Sequence, residues 1–153
     1  NEIRRNILKG LAAAPALALA PNLLWAQTVG ELKISHQFPG ATATEGDFRD
    51  RLCRRFSAEI GKRTNGALKG TVYPGSSLMK TNAQFSSVRK GALDMTLVPL
   101  SYAGGEVPET NIGLMPGIVT NYDQAVSWKK AEVGKALANI LADKGVLIVS
   151  WIW

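Results

Sequence analysis

The chain has 153 residues, 46% of them hydrophobic and 20% charged, and carries a net charge of +6. Its single cysteine, Cys53, excludes an internal disulfide. The basic excess is modest, acids are interspersed with it and no aromatic stacking pattern accompanies it, which excludes a nucleic-acid interface.

Residues 1–26 have the layout of an export signal. Arg4, Arg5 and Lys9 precede an apolar run, Leu11 to Ala20, and a cleavage site follows Ala26. The segment Arg4 to Lys9 is twin-arginine-like, with Ile3 and Ile7 where Ser/Thr and Phe are usual. Pro15 and Pro21 interrupt the run, which falls short of the ~20 apolar residues a membrane span needs. The mature chain is expected in the periplasm.

Glu31 to His36 predicts a first strand, with Leu32 and Ile34 inward and Lys33 and Ser35 outward, closed by Phe38-Pro39-Gly40. Thr44 is placed to cap the next helix. Phe48, Leu52, Phe56 and Ile60 recur every four residues as its apolar stripe. Its charged residues, Asp47, Asp50 and Glu59 among the arginines, read as a solvated face. Asn65-Gly66 supplies the left-handed residues that end it. Leu68 to Tyr73 predicts a strand closed by Pro74-Gly75, Gln84 to Lys90 a short helix, and Leu93 to Val98 a third strand. Strand, helix and strand with short links imply parallel crossovers, hence an α/β layered domain. Pro99 to Pro116 is a long Gly/Pro-rich loop. Asn121 caps a second long helix stopped at Lys144-Gly145, and the run Val146 to Trp153 predicts a strand buried on both faces.

Ligands of open α/β sheets bind at the carboxyl ends of the strands. Those ends carry His36-Gln37-Phe38-Pro39, then Leu100-Ser101-Tyr102, then Trp151 to Trp153, a wall suited to a small polar solute. Catalysis lacks its parts. The one histidine, His36, and Cys53 lie on separate segments, Cys53 reads as a buried structural thiol, and no Gly-x-Ser-x-Gly elbow or phosphate loop occurs. The pattern calls for no metal and no cofactor. An exported α/β enzyme and an envelope interaction module are the alternatives to a solute-binding function.

Several motifs in order carry a family resemblance: Ser35-His36-Gln37-Phe38-Pro39, Thr64-Asn65-Gly66-Ala67-Leu68, Tyr73-Pro74-Gly75-Ser76-Ser77-Leu78, Gly91-Ala92-Leu93-Asp94-Met95 and Leu114-Met115-Pro116-Gly117. Together they resemble the signature of TRAP-type (tripartite ATP-independent periplasmic) solute-binding proteins, over Glu31 to Trp153. The resemblance implies a periplasmic-binding-protein-like lobe with helices flanking a mostly parallel sheet, truncated before the second lobe is complete. Residues 27–153 would be that first lobe, ending at the crossover to the second. The function implied is capture of a carboxylate-bearing organic acid and its delivery to integral-membrane permease subunits, without enzymatic turnover. First-lobe contacts then fall on His36, Gln37 and Phe38 and on Leu100, Ser101 and Tyr102, with Trp153 near the crossover. The arginine that clamps the carboxylate would lie beyond Trp153. A half-receptor would expose an apolar edge at Val146 to Trp153, with self-association as the expected consequence.

Overall fold

Three parallel strands form the sheet, in the order β2-β1-β3. In the computed structural model, which describes residues 29–152, β1 is Gly30–His36, β2 is Leu68–Tyr73 and β3 is Met95–Leu97. The expected export signal and Trp153 lie outside the described residues. Helix α1, Phe48–Arg63, links β1 to β2, and α2, Thr81–Arg89, links β2 to β3. Because β2 and β3 flank β1 on opposite sides, two crossovers of one hand place their helices on opposite faces of the sheet. The α/β lobe read from the sequence is therefore the architecture found.

Burial deepens along the central strand, and its last three residues, Ile34, Ser35 and His36, are fully buried. The outward position expected for Ser35 is thus corrected. A middle strand covered by helices on both faces has no solvent side at its carboxyl end. On one face Thr96 Oγ1 lies 2.6 Å from Gln84 Oε1 of α2, and on the other His36 meets α1.

Helix α1 departs from its expected pattern twice. Its cap is Asp47, whose side chain accepts from Arg49 N at 2.9 Å, and not Thr44. Thr44 belongs to a preceding turn, where Thr42 Oγ1 accepts from Glu45 N and the Thr44 carbonyl accepts from Arg51. The expected apolar stripe is also not the most buried one, with Phe56 and Ile60 only half-buried. Phe48 and Leu52 are exposed, while Asp50 and Cys53 are buried. The helix sits on the sheet through small residues at i, i+3 and i+7 (Asp50, Cys53, Ser57). Ser57 Oγ donates to the Gly70 carbonyl, and a side chain at Gly70 would collide with it. Close backbone approach, not aromatic bulk, sets this contact. The helix ends as read, with Asn65 and Gly66 at φ of 50° and 81°.

Beyond β3 the expected long loop contains two 3-10 helices, Leu100–Ala103 and Pro108–Leu114. The expected second long helix is two helices, α3 (Tyr122–Ser127) and α4 (Glu132–Asp143), with Asn121 capping the first. Lys130 N and Ala131 N both turn back to the Ser127 carbonyl, and the backbone of Ala131 is extended before α4 begins. Phe85, Ala103, Val107 and Leu141 form the core cluster, and Leu100, Ile140, Val146 and Ile148 pack against it. Among the described residues, 146–152 belong to no helix and join no sheet, which corrects the strand expected there. Leu147 and Val149 are 77% and 70% exposed, so the segment is only partly covered. Among the described residues no helix is long and apolar enough to cross a membrane.

The α3–α4 junction yields a test. Any Cβ on the buried Gly134 would overlap the Trp128 carbonyl oxygen. Alanine favours an ordinary helix interior over glycine by ~1 kcal/mol. Here Gly134→Ala should instead destabilise the chain by about 1–3 kcal/mol, read as a lower thermal midpoint.

Candidate functional site

The loops at the carboxyl end of the sheet are tied together before any ligand arrives. Gly75 N donates to the Phe38 carbonyl and Ser76 N to the His36 carbonyl, each at 2.8 Å. The turn that allows this needs positive φ at two successive residues, Gly75 at 61° and Ser76 at 58°. Ser76 is a non-glycine residue in the left-handed region, and its hydroxyl lies 3.0 Å from Thr81 Oγ1. The loop after β2 is in this way fastened to the loop after β1.

Beneath them lies a buried carboxylate. Asp50 Oδ1 accepts from His36 Nε2 at 2.9 Å, and Oδ2 accepts from Ala41 N at 2.8 Å and Arg54 Nε at 2.6 Å. Burial pushes the Asp50 pKa up, but the bonds from Arg54, Ala41 and His36 outweigh it and hold the carboxyl below its ordinary 3.8. An ionised carboxylate only accepts, so His36 Nε2 carries the proton in this bond. His36 is fully buried, its Nδ1 has no partner among the described residues, and neither has the hydroxyl of the neighbouring Ser35. The reading of the Asp50 side chain as part of a solvated face is therefore corrected. Its sequence signal is the i, i+3, i+7 spacing with Cys53 and Ser57, which marks the small-residue face.

Phe38 stands above this network. Its ring lies 5.9 Å from that of His36, at 30° between planes, and the Arg49 guanidinium sits over it, 3.6 Å from the ring centroid. Arg49 is held in turn by Asp47, with Nε to Oδ1 at 2.9 Å and Nη2 to Oδ2 at 2.6 Å. That fork lowers the Asp47 pKa to about 2 and raises that of Arg49. The cap of α1, the stacked guanidinium and the loop after β1 thus form one unit, in which Arg49 is a participant the sequence reading passed over.

Of the residues expected to line a site, six are described, and all lie at the carboxyl end of the sheet. Gln37, Phe38, Leu100 and Ser101 are half-buried and Tyr102 is exposed, whereas His36 sits beneath this surface. Leu100 packs on the core cluster and so anchors the 3-10 turn that presents Ser101 and Tyr102. A cavity of about 580 Å³ touches this rim only through Leu100 and Ser101. It runs instead along β3 and the Val146–Ile152 segment. Cys53 also lines it, and burial pushes that thiol up to about 11, away from thiolate chemistry at neutral pH. Among the described residues, no three His, Cys, Asp or Glu side chains converge as a metal would require.

Residues 40–153 match the family described as bacterial extracellular solute-binding protein, family 7. A solute-binding protein of Albidiferax ferrireducens is 62% identical over 150 residues, covering 98% of this chain and 44% of the relative. The C4-dicarboxylate-binding periplasmic protein DctP of Rhodobacter capsulatus is 28% identical, across 94% of this chain and 42% of its own length. Among solved structures, a TRAP periplasmic solute binding protein from Rhodoferax ferrireducens with bound malonate superposes with a TM-score of 0.77 at 70% identity. That match covers 80% of this chain and 39% of the other. The chain therefore spans less than half the length of the relatives it matches.

The buried carboxylate gives this site its pH dependence. Because the folded pKa of Asp50 is depressed, its contribution is present above the unfolded value near 3.8 and is lost as pH falls through the folded value. Asp50→Asn should cost about 1–3 kcal/mol at pH 7, since it leaves buried donors poorly matched. In urea titrations the gap between variant and parent should narrow steadily below pH 3.8.

Proposed function

We propose that this chain, which belongs to bacterial extracellular solute-binding protein family 7, is the first lobe of a two-lobed periplasmic receptor for an organic acid. Residues 1–26 direct export and 27–153 build the lobe. The receptor hands its solute to the integral-membrane permease subunits of a TRAP-type secondary transporter. The observation that carries the reading is the 70% identity and 0.77 TM-score to a receptor of this family with malonate bound. A carboxylate with a short carbon chain is accordingly the ligand class proposed.

In this reading Gln37, Phe38, Ser101 and Tyr102 face the solute. Leu100 and His36 act one layer behind, Leu100 by anchoring its turn in the core and His36 by joining the loop root to Asp50. Trp153 stands near the crossover, and a carboxylate-clamping arginine is supplied from beyond it. The chemistry is binding without turnover, which suits a rim of one hydroxyl, one phenol, an amide and a ring. Such groups orient a small solute by directed hydrogen bonds and stacking.

The test is thermal unfolding of the chain extended to the length of its relatives, against malonate, succinate and other short organic acids. A ligand at 100 times its Kd stabilises the folded state by about 2.7 kcal/mol, a shift of several degrees. Ser101→Ala and Tyr102→Phe should each weaken the best acid by about 2–10-fold while leaving the unliganded midpoint in place. No shift with any acid at millimolar concentration would overturn the reading.

A further inference from the structure

We propose that helix α2 is a brace that holds the two halves of the rim at a fixed spacing, with the buried Gln84 as its positioning residue. One half is Gln37 and Phe38, the other Ser101 and Tyr102. The inference rests on the reading of these four as solute-facing, and it adds a residue that does not itself touch solute.

Both ends of the brace are anchored. At its start, the Thr81 hydroxyl lies 3.0 Å from that of Ser76, and Ser76 N donates to the His36 carbonyl at the root of the first loop. Toward the other half, Phe85 lies in the core cluster with Ala103, and Leu100 packs on that cluster. One turn further along, Arg89 Nη1 pairs with Glu106 Oε2 at 2.8 Å. A helix of nine residues is about 13 Å long and moves as a unit, so a shift at one end is carried to the other.

Gln84 joins this brace to the strands that feed the rim. It is fully buried, and both ends of its amide are used. Nε2 donates to the Met79 carbonyl at 3.2 Å, and Oε1 accepts from Thr96 Oγ1 at 2.6 Å. A carbonyl oxygen only accepts, so the Met79 contact fixes which way the amide points. Met79 belongs to the segment between the Gly75–Ser76 turn and α2, and Thr96 is the middle residue of β3, which leads to Ser101 and Tyr102. One buried amide therefore bonds a segment from each half. An apolar side chain of the same size would fill the space, but only directed bonds fix the register of the two segments. Ser35 supplies a control within the same layer. It neighbours Thr96 in the sheet and shares its face, yet its buried hydroxyl has no partner among the described residues.

Amide exchange of the folded chain tests the brace without any solute. Gln84→Met keeps the volume and removes both bonds. It should speed exchange at Gly75, Ser76 and Tyr102, whose amides all hold backbone bonds at the rim, by at least about tenfold relative to amides within β1 and β2. Ser35→Ala should leave all three unchanged. In the chain extended to the length of its relatives, Gln84→Met should weaken the best acid by about 3–10-fold. That constant is read well below the thermal midpoint, where global stability does not enter it. Four results overturn the proposal: exchange unchanged in either half, exchange quickened equally throughout the sheet, the same effect from Ser35→Ala, or undiminished affinity for an acid that the parent binds. If the parent binds no acid, the solute reading fails while the exchange result still decides the brace.

Discussion

The carboxylate of Asp50 is the point on which the functional end of this lobe depends. One side chain ties the last residue of the central strand, the backbone of the following loop and the next turn of its own helix. An ion taken out of water is costly unless its lone pairs are met, and here three donors converge on two oxygens. The consequence is geometric as much as energetic. The root of the first loop is fixed by directed bonds, so the residues above it, Gln37 and Phe38, start from a defined position. The loop after β2 inherits that position through its two backbone bonds to Phe38 and His36.

The structure also separates two surfaces that the sequence alone runs together. The rim at the strand ends is polar and built from short loops, while the groove beside β3 is apolar and built from helix faces. They meet at Leu100 and Ser101, which belong to the rim and line the groove as well. Anything that fills the groove therefore packs against the turn that presents Tyr102.

Local patterns in the sequence carried much of this fold. Asn65-Gly66, Pro74-Gly75 and the Asn121 cap act through backbone conformation and nearest-neighbour bonds, so their meaning survives without tertiary context. Several of the failures involve partners distant in sequence. The four-residue stripe of α1 is periodic, but which stripe meets the sheet was settled by Ser57 against Gly70, thirteen residues away. Ser35 was read as outward because alternation cannot show that a second helix covers the other face. The helix expected over one long stretch breaks because Gly134 accepts the Trp128 carbonyl against it, a contact no periodicity encodes. For the site, position at the strand ends was legible from topology, whereas the burial of His36 and the role of Asp50 required the fold. The run at 146–152 has strand composition, yet a strand is defined by its neighbours, and among the described residues this run pairs with none.

The pairing of Arg49 with Asp47 has a consequence for what this wall can discriminate. The guanidinium on Phe38 has its charge matched within the lobe, by a bidentate fork to a carboxyl held ionised down to about pH 2. An approaching anion thus meets a compensated dipole over an aromatic ring and gains little from net attraction. Contacts of that kind respond to outline and polarisability, not to formal charge. On the reading proposed above, this side of the site would then sort solutes by shape more than by charge.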